Sequence, residues 1–141
     1  MAQKKSILIV DDELGVRESL KMILKPSYQV HTATGGREAL QFIQNDKIDL
    51  VALDLKMPGL SGIDVLRQIK KNDPDMEVIV ITAHGTPQNV QEAGRYGAGD
   101  FIVKPFSVPD LINSIKKSLE RRNYNLRLKN FNRYNSVVIQ K

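Results

Sequence analysis

Cysteine and tryptophan are both missing from the 141 residues. Without thiols there can be no disulfide, no thiolate metal site and no cysteine nucleophile, a composition that fits a reducing compartment. No apolar run approaches the roughly 18 residues that span a bilayer. The first ten residues lack the length and the small-residue cleavage site of a secretory signal, so the expected location is the cytoplasm. Acidic residues also run out: from Arg121 to Lys141 there are six basic residues (Arg121, Arg122, Arg127, Lys129, Arg133, Lys141) and no acid. Removing those six from the 21 Lys and Arg leaves 15 against 16 acids, so residues 1–120 are nearly neutral and the net charge of +5 belongs to the tail. Such a tail reads as a solvated linker in preference to a nucleic-acid arm, so direct nucleic-acid binding is not expected of it. The second reading predicts a DNA affinity that falls steeply with salt and vanishes on deletion of residues 123–141.

What remains is ordinary for one globular domain, with 41% apolar and 26% charged residues. Short apolar runs rich in branched side chains lie at Ile7–Val10, Leu50–Leu53, Val78–Ile81 and Phe101–Val103. Each is apolar on both faces, as strands are when helices cover both sides of a parallel sheet. Tyr28–Ala33 alternates apolar and polar residues, as an edge strand would. Helical patterns separate the runs: Leu14–Lys25 (Leu14, Leu20, Ile23, Leu24), stopped by Pro26; Gly36–Gln44; Ser61–Asn72; Pro87–Gly97; and Ser107 to about Arg122. Ser61 with Asp64, and Ser107 with Asp110, have the spacing of N-terminal capping pairs. Five strands alternating with five helices imply an α/β fold, a doubly wound parallel sheet with right-handed crossovers. Ligands in such sheets bind beyond the carboxyl ends of the strands, where strand order reverses.

The residues at those ends carry the chemistry. Asp11, Asp12 and Glu13 follow the first run, Asp54 follows the third strand, Thr82 the fourth, and Lys104 with Pro105 the fifth. Taken singly, an Asp after a strand is a turn former, a Thr is packing and a Lys is solvated surface. Four strands delivering an acid pair, an acid, a hydroxyl and an amine to one edge is a different matter. Carboxylates sharing a pocket repel one another, and a hard divalent cation such as Mg²⁺ relieves the repulsion through oxygen ligands. An Asp carboxylate can act as a nucleophile and form an aspartyl phosphate. The transferring phosphoryl group then needs positive charge on its oxygens, from the cation and from a Lys ammonium.

The segments Ile7–Glu13 (ILIVDDE), Ala52–Gly59 (ALDLKMPG), Ile79–His84 (IVITAH) and Gly97–Phe106 (GAGDFIVKPF) resemble those of two-component response regulator receivers. The stretches at 17–20 and 97–107 look especially like receivers of sigma-54-dependent transcriptional activators. The resemblance covers about residues 5–122 and implies a flavodoxin-like sheet of strand order 2-1-3-4-5. It implies that Asp54 is the phospho-acceptor, with a histidine kinase as donor, and that Asp12 binds Mg²⁺ directly and Asp11 through water. Lys56 would add its backbone carbonyl to the metal. Lys104 would pair with the Asp54 carboxylate and then with the phosphoryl group. Thr82 and Phe101 match the hydroxyl and aromatic positions whose coupled rearrangement signals activation, and Pro105 matches a proline preceded by a cis peptide bond. The expected organisation is an N-terminal tail over 1–5, a receiver over 6–122 and a basic extension or linker over 123–141.

Phosphorylation would have to bias a bistable element, and the face made by the fourth helix, fifth strand and fifth helix is the candidate. Its fourth helix is the least apolar and holds Gly94. His84 follows Thr82 by two residues with no His near it in the chain to pair with as a metal site, His31 is expected to face solvent, and Met57 and Pro58 read as loop beside the acceptor. Ile112, Ile115, Leu119 and Leu126 have heptad-type spacing, but Arg122 and Lys129 interrupt it and the run is under three heptads. A homodimer through the switch face or the helix extension, an output domain beyond Val137–Ile139, and a stand-alone receiver all remain open. An aspartate-nucleophile phosphatase of another doubly wound fold would need a second Asp where Lys56 stands. A receiver kept only for interaction would not need the full set of acids, Thr and Lys.

Overall fold

The computed structural model describes residues 3–139, with side chains to residue 135. Met1 and Ala2 of the N-terminal tail and Lys141 of the basic tail lie outside the described residues, as do the side chains of Val137–Ile139. The elements follow in the order β1 (Ser6–Val10), α1 (Leu14–Leu24), β2 (Gln29–Ala33), α2 (Gly36–Asn45), β3 (Leu50–Leu53), α3 (Gly62–Asn72), β4 (Glu77–Thr82), α4 (Pro87–Arg95), β5 (Asp100–Val103) and α5 (Val108–Ile139). All five strands are parallel, in the order β2-β1-β3-β4-β5. The sheet and its order are those expected.

Every residue of β1, β3 and β4 is buried, because helices cover both faces of the central strands. Alternate side chains sort to the two sides. Leu8, Val10, Val51, Leu53, Val78 and Val80 pack with Val65, Leu66 and Ile69 of α3 and Ala93 of α4. Ile7, Ile9, Leu50, Ala52, Ile79 and Ile81 pack with Leu20 and Leu24 of α1 and Leu111, Ile115 and Leu119 of α5. The edge strands β2 and β5 are only partly covered.

Both capping pairs form: the Ser61 hydroxyl accepts from the Asp64 N–H at 3.2 Å and that of Ser107 from the Asp110 N–H at 3.3 Å. Two side chains depart from expectation. Leu14, assigned to the apolar face of the first helix, is 63% exposed, since it sits in the opening turn above the end of the sheet. His31 is half-buried on the edge strand, its ring 5.0 Å from that of Phe42 of α2.

The largest departure is α5, which continues without a break to Ile139. Beyond Arg122 it contains neither Gly nor Pro to stop it. Its interrupted heptad stripe is the face turned to its own domain. Ile115 and Leu119 are buried against the sheet. Arg122 reaches Asp73 at 3.4 Å and Asp49 at 3.8 Å, and Lys129 reaches Asp75 at 2.5 Å. Cations therefore replace apolar residues where the helix passes the acidic loop between α3 and β4. Among the described residues no helix is long and apolar enough to cross a membrane.

Helix α4 is capped by Thr86, whose hydroxyl accepts from the Asn89 N–H at 3.1 Å. A Cβ at Gly94 would meet nothing within 4 Å. Gly94→Ala is therefore expected to stabilise the domain by about 0.8 kcal/mol, the usual helix-interior difference. A urea midpoint raised at unchanged slope would register this; a lowered midpoint would contradict the open surroundings.

Candidate functional site

The strand register brings four chain segments level at one end of the sheet. Val10 pairs with Leu53, Leu53 with Val80, and Thr82 with Val103. Backbone bonds carry the ladders one step past the strands: Asp54 N–H to Val10 carbonyl (3.0 Å), Asp11 N–H to Ala33 carbonyl (3.2 Å) and Lys104 N–H to Thr82 carbonyl (2.8 Å). The chain leaves β1 for β2 on one side and returns to β3 on the other, so Asp11 and Asp54 flank the point where strand order reverses.

Asp11, Asp12 and Asp54 each present a carboxylate oxygen, and the three oxygens lie within 4.8 Å of one another. Asp11 and Asp54 are buried and Asp12 is exposed. Asp11 is fully engaged: Oδ1 accepts from the Glu13 N–H at 2.9 Å and Oδ2 from the Lys104 ammonium at 2.8 Å. Asp54 Oδ1 is buried with no hydrogen-bond partner. A buried carboxylate oxygen is costly to leave unpaired. An unpaired Asp54 oxygen in a cluster of hard oxygen donors fits a divalent cation, and these three residues could hold one.

The pairing of Lys104 corrects an expectation, for its ammonium sits on Asp11 and not on the Asp54 carboxylate. Asp11 is the more deeply buried of the two acids, and the Glu13 N–H leaves it one oxygen to satisfy. A flexible four-carbon stem lets the ammonium reach that oxygen from the far side of the cluster. The Lys104–Pro105 bond is cis, as expected. Lys56 lies two residues past Asp54 in the loop leading to α3, its side chain exposed. Met57, in that same loop, packs against the core.

Thr82 is fully buried, and its hydroxyl accepts from the His84 N–H at 3.3 Å. Phe101 pairs with Val80, two residues before Thr82, and packs half-buried in the cluster that includes Val80 and Ala93 of α4. By alternation Thr82 and Phe101 share one face of the sheet, the face α4 covers.

Arg17 enters the site without having been expected there: its guanidinium donates to the Asp11 carbonyl at 2.9 Å and fixes the loop from behind. Its place one turn into the helix that follows the acid pair was the available signal. Nearby, the Thr34 N–H and hydroxyl bind Glu38 at 3.0 and 2.7 Å and hold its carboxyl below the usual range, Arg17 adding a smaller pull.

Residues 7–116 match the model of the response regulator receiver domain. The chain belongs to that family. It is 38% identical over 116 residues to sporulation initiation phosphotransferase F of Bacillus subtilis, covering 82% of this chain and 94% of that one. It is 43% identical over 115 residues to the chemotaxis protein CheY of Thermotoga maritima, covering 80% and 96%. A CheY-like receiver from Methanospirillum hungatei superposes with a TM-score of 0.84 at 32% identity, over 87% of this chain and 99% of that one. The chain is thus a receiver domain of two-component response regulators, a regulatory phospho-acceptor module, and its strand-end cluster is the receiver's acidic pocket.

Proposed function

We propose that Asp54 is the residue that accepts the phosphoryl group, from the phosphohistidine of a histidine kinase in the cytoplasm. The observation that carries this is the buried, unpartnered Oδ1 of Asp54 beside two further carboxylates. In the transfer an Asp54 oxygen attacks phosphorus, the P–N bond breaks, and the imidazole leaves with the electron pair. Asp12, Asp54 and the Lys56 carbonyl, with Asp11 through water, would hold Mg²⁺, which would supply positive charge to the phosphoryl oxygens. Lys104 gives up its bond to Asp11 and turns to the phosphoryl group, exchanging one anion for another of higher charge. Thr82 releases the His84 N–H and donates its hydroxyl to a phosphoryl oxygen. That movement frees space on the α4 side of the sheet for Phe101 to turn inward, and the α4–β5–α5 face shifts to engage an output domain, a partner or a second copy. Supporting it, Thr82 and Phe101 share the face that α4 covers, and α4 carries the open Gly94.

Intact mass after incubation with a small-molecule phosphodonor and Mg²⁺ tests the acceptor. Wild type is expected to gain one hydroxylamine-labile phosphate, and Asp54→Ala none. A phosphate retained in the variant would move the acceptor elsewhere.

A further inference from the structure

Helices α3 and α4 flank an open groove of about 920 Å³ that none of the acidic-pocket residues lines. Arg67, Lys70 and Lys71 border it from α3 and Arg95 from the end of α4, against a single acid, Asp64. That acid is turned to its own helix start, where Oδ2 accepts from the Ser61 hydroxyl at 3.0 Å. Lys70 is engaged as well. Its Nζ donates to the Met76 carbonyl at 3.0 Å, and its stem lies across Gly97, where a Cβ would stand 3.0 Å from Lys70 Cε. Arg67, Lys71 and Arg95 are exposed and make no ion pair among the described residues. Lys71 and Arg95 occupy the last turns of their helices, where the dipole favours a cation but supplies no counter-ion. Residues 1–120 are nearly neutral, so this excess of positive charge is local.

Arg67 is the cation already set for a ligand. Its guanidinium carbon lies 4.8 Å from the centre of the Tyr96 ring, and Tyr96 itself packs half-buried against the core. Stacked on the ring, the guanidinium keeps its N–H edges free for the planar fork that a carboxylate accepts. Lys71 follows Arg67 by one turn on the same side of α3, about 6 Å further along the axis. Alternate side chains of an extended strand are about 6.6 Å apart, so acids at every second position match the two cations. We propose that the α3–α4 groove binds an extended acidic segment of a partner protein, with carboxylates on Arg67, Lys71 and Arg95. Single-stranded nucleic acid fits less well, because binding it draws on stacking and Arg67 already occupies the face of Tyr96, the one aromatic ring lining the groove. The groove is a second surface beside the α4–β5–α5 face, and occupancy of it does not depend on the phosphoryl chemistry.

Titration of the full chain with the peptide acetyl-Glu-Ser-Glu-Ser-Glu-Ser-amide at low salt, followed by amide chemical shifts, tests this. The largest shifts are expected at residues 67–71 and 95–97. Arg67→Gln and Lys71→Gln are each expected to weaken binding about fivefold, the worth of one partly exposed charge pair. Arg67→Lys should weaken it too, since the charge stays but the fork and the stacking are lost. Arg127→Gln and Arg133→Gln, in the basic tail, should bind as wild type does. Absence of shifts, shifts confined to residues beyond 122, or an unchanged affinity in Arg67→Lys would each overturn the proposal. Stronger binding of oligothymidylate through the same amides would do so as well, in favour of a nucleic-acid site. Phosphodonor labelling of the same variants reports the acidic pocket separately, so failure of the groove and failure of the acceptor cannot be confused.

Discussion

Lys104→Met is expected to cost the domain about 3 kcal/mol in divalent-free buffer and to recover much of that in magnesium. The ammonium lies 2.8 Å from Asp11 Oδ2, with the lysine side chain 18% and the aspartate 3% exposed. Removing one partner of a buried pair costs about 3–5 kcal/mol, because the other charge stays buried, and the partial exposure of the lysine places this pair at the low end. Methionine keeps most of the stem, so the loss reports the charge and not the packing. Without the ammonium, three carboxylates within 4.8 Å repel one another unrelieved. A cation that binds only the folded state then stabilises by mass action. Because the variant lacks the competing positive charge, magnesium should bind it more tightly than wild type and shift its urea midpoint further. Phosphoryl transfer should slow by on the order of 10²-fold, as when one preorganised donor is lost from a charged transition state. A variant as stable as wild type without divalent ions would show that the Asp11 pair carries no net charge stabilisation.

Why the pocket could be read before the fold was known comes down to topology. In a parallel sheet, whatever follows a strand lands at one edge, so Asp11, Asp12, Asp54, Thr82 and Lys104 needed only correct strand assignment to converge. Four apolar runs and one alternating segment, separated by amphipathic stretches, supplied it. The partner of Lys104 was of another kind. Its choice of Asp11 depends on one backbone N–H, that of Glu13, occupying the other oxygen, a detail no periodicity contains. The length of α5 escaped for a related reason. Its end was read at Arg122, where the sheet-facing apolar stripe fails, but the helix continues because Arg122 and Lys129 meet acids of a loop distant in sequence. His31 likewise took its ring partner from α2, eleven residues along the chain. Ion pairs and ring contacts made across the fold are set by three-dimensional proximity, and the local pattern is silent about them.

Gly62→Ala should be the most damaging small substitution near the pocket, at about 3 kcal/mol. Gly62 opens α3 and donates its N–H to the Leu55 carbonyl at 3.0 Å, so the helix start lies directly on the backbone that follows Asp54. A Cβ there would stand 2.3 Å from the Asp54 carbonyl oxygen and 2.5 Å from Leu55 Cα. Side-chain clashes can be relieved by a rotamer change, but these atoms are main chain and the strand end itself must move. Overpacking in a core typically costs about 1–3 kcal/mol, and a rigid backbone neighbour puts this case at the top of that range. Displacement of Asp54 relative to Asp11 and Asp12 should also depress phosphate uptake, since a misplacement of about 1 Å can cost on the order of 10² in rate. The same chemical change at Gly94 has the opposite expected sign, which makes the pair a test of position and not of glycine content. Equal urea midpoints for the two alanine variants would mean that the contact between α3 and the Asp54–Leu55 backbone does not constrain the pocket.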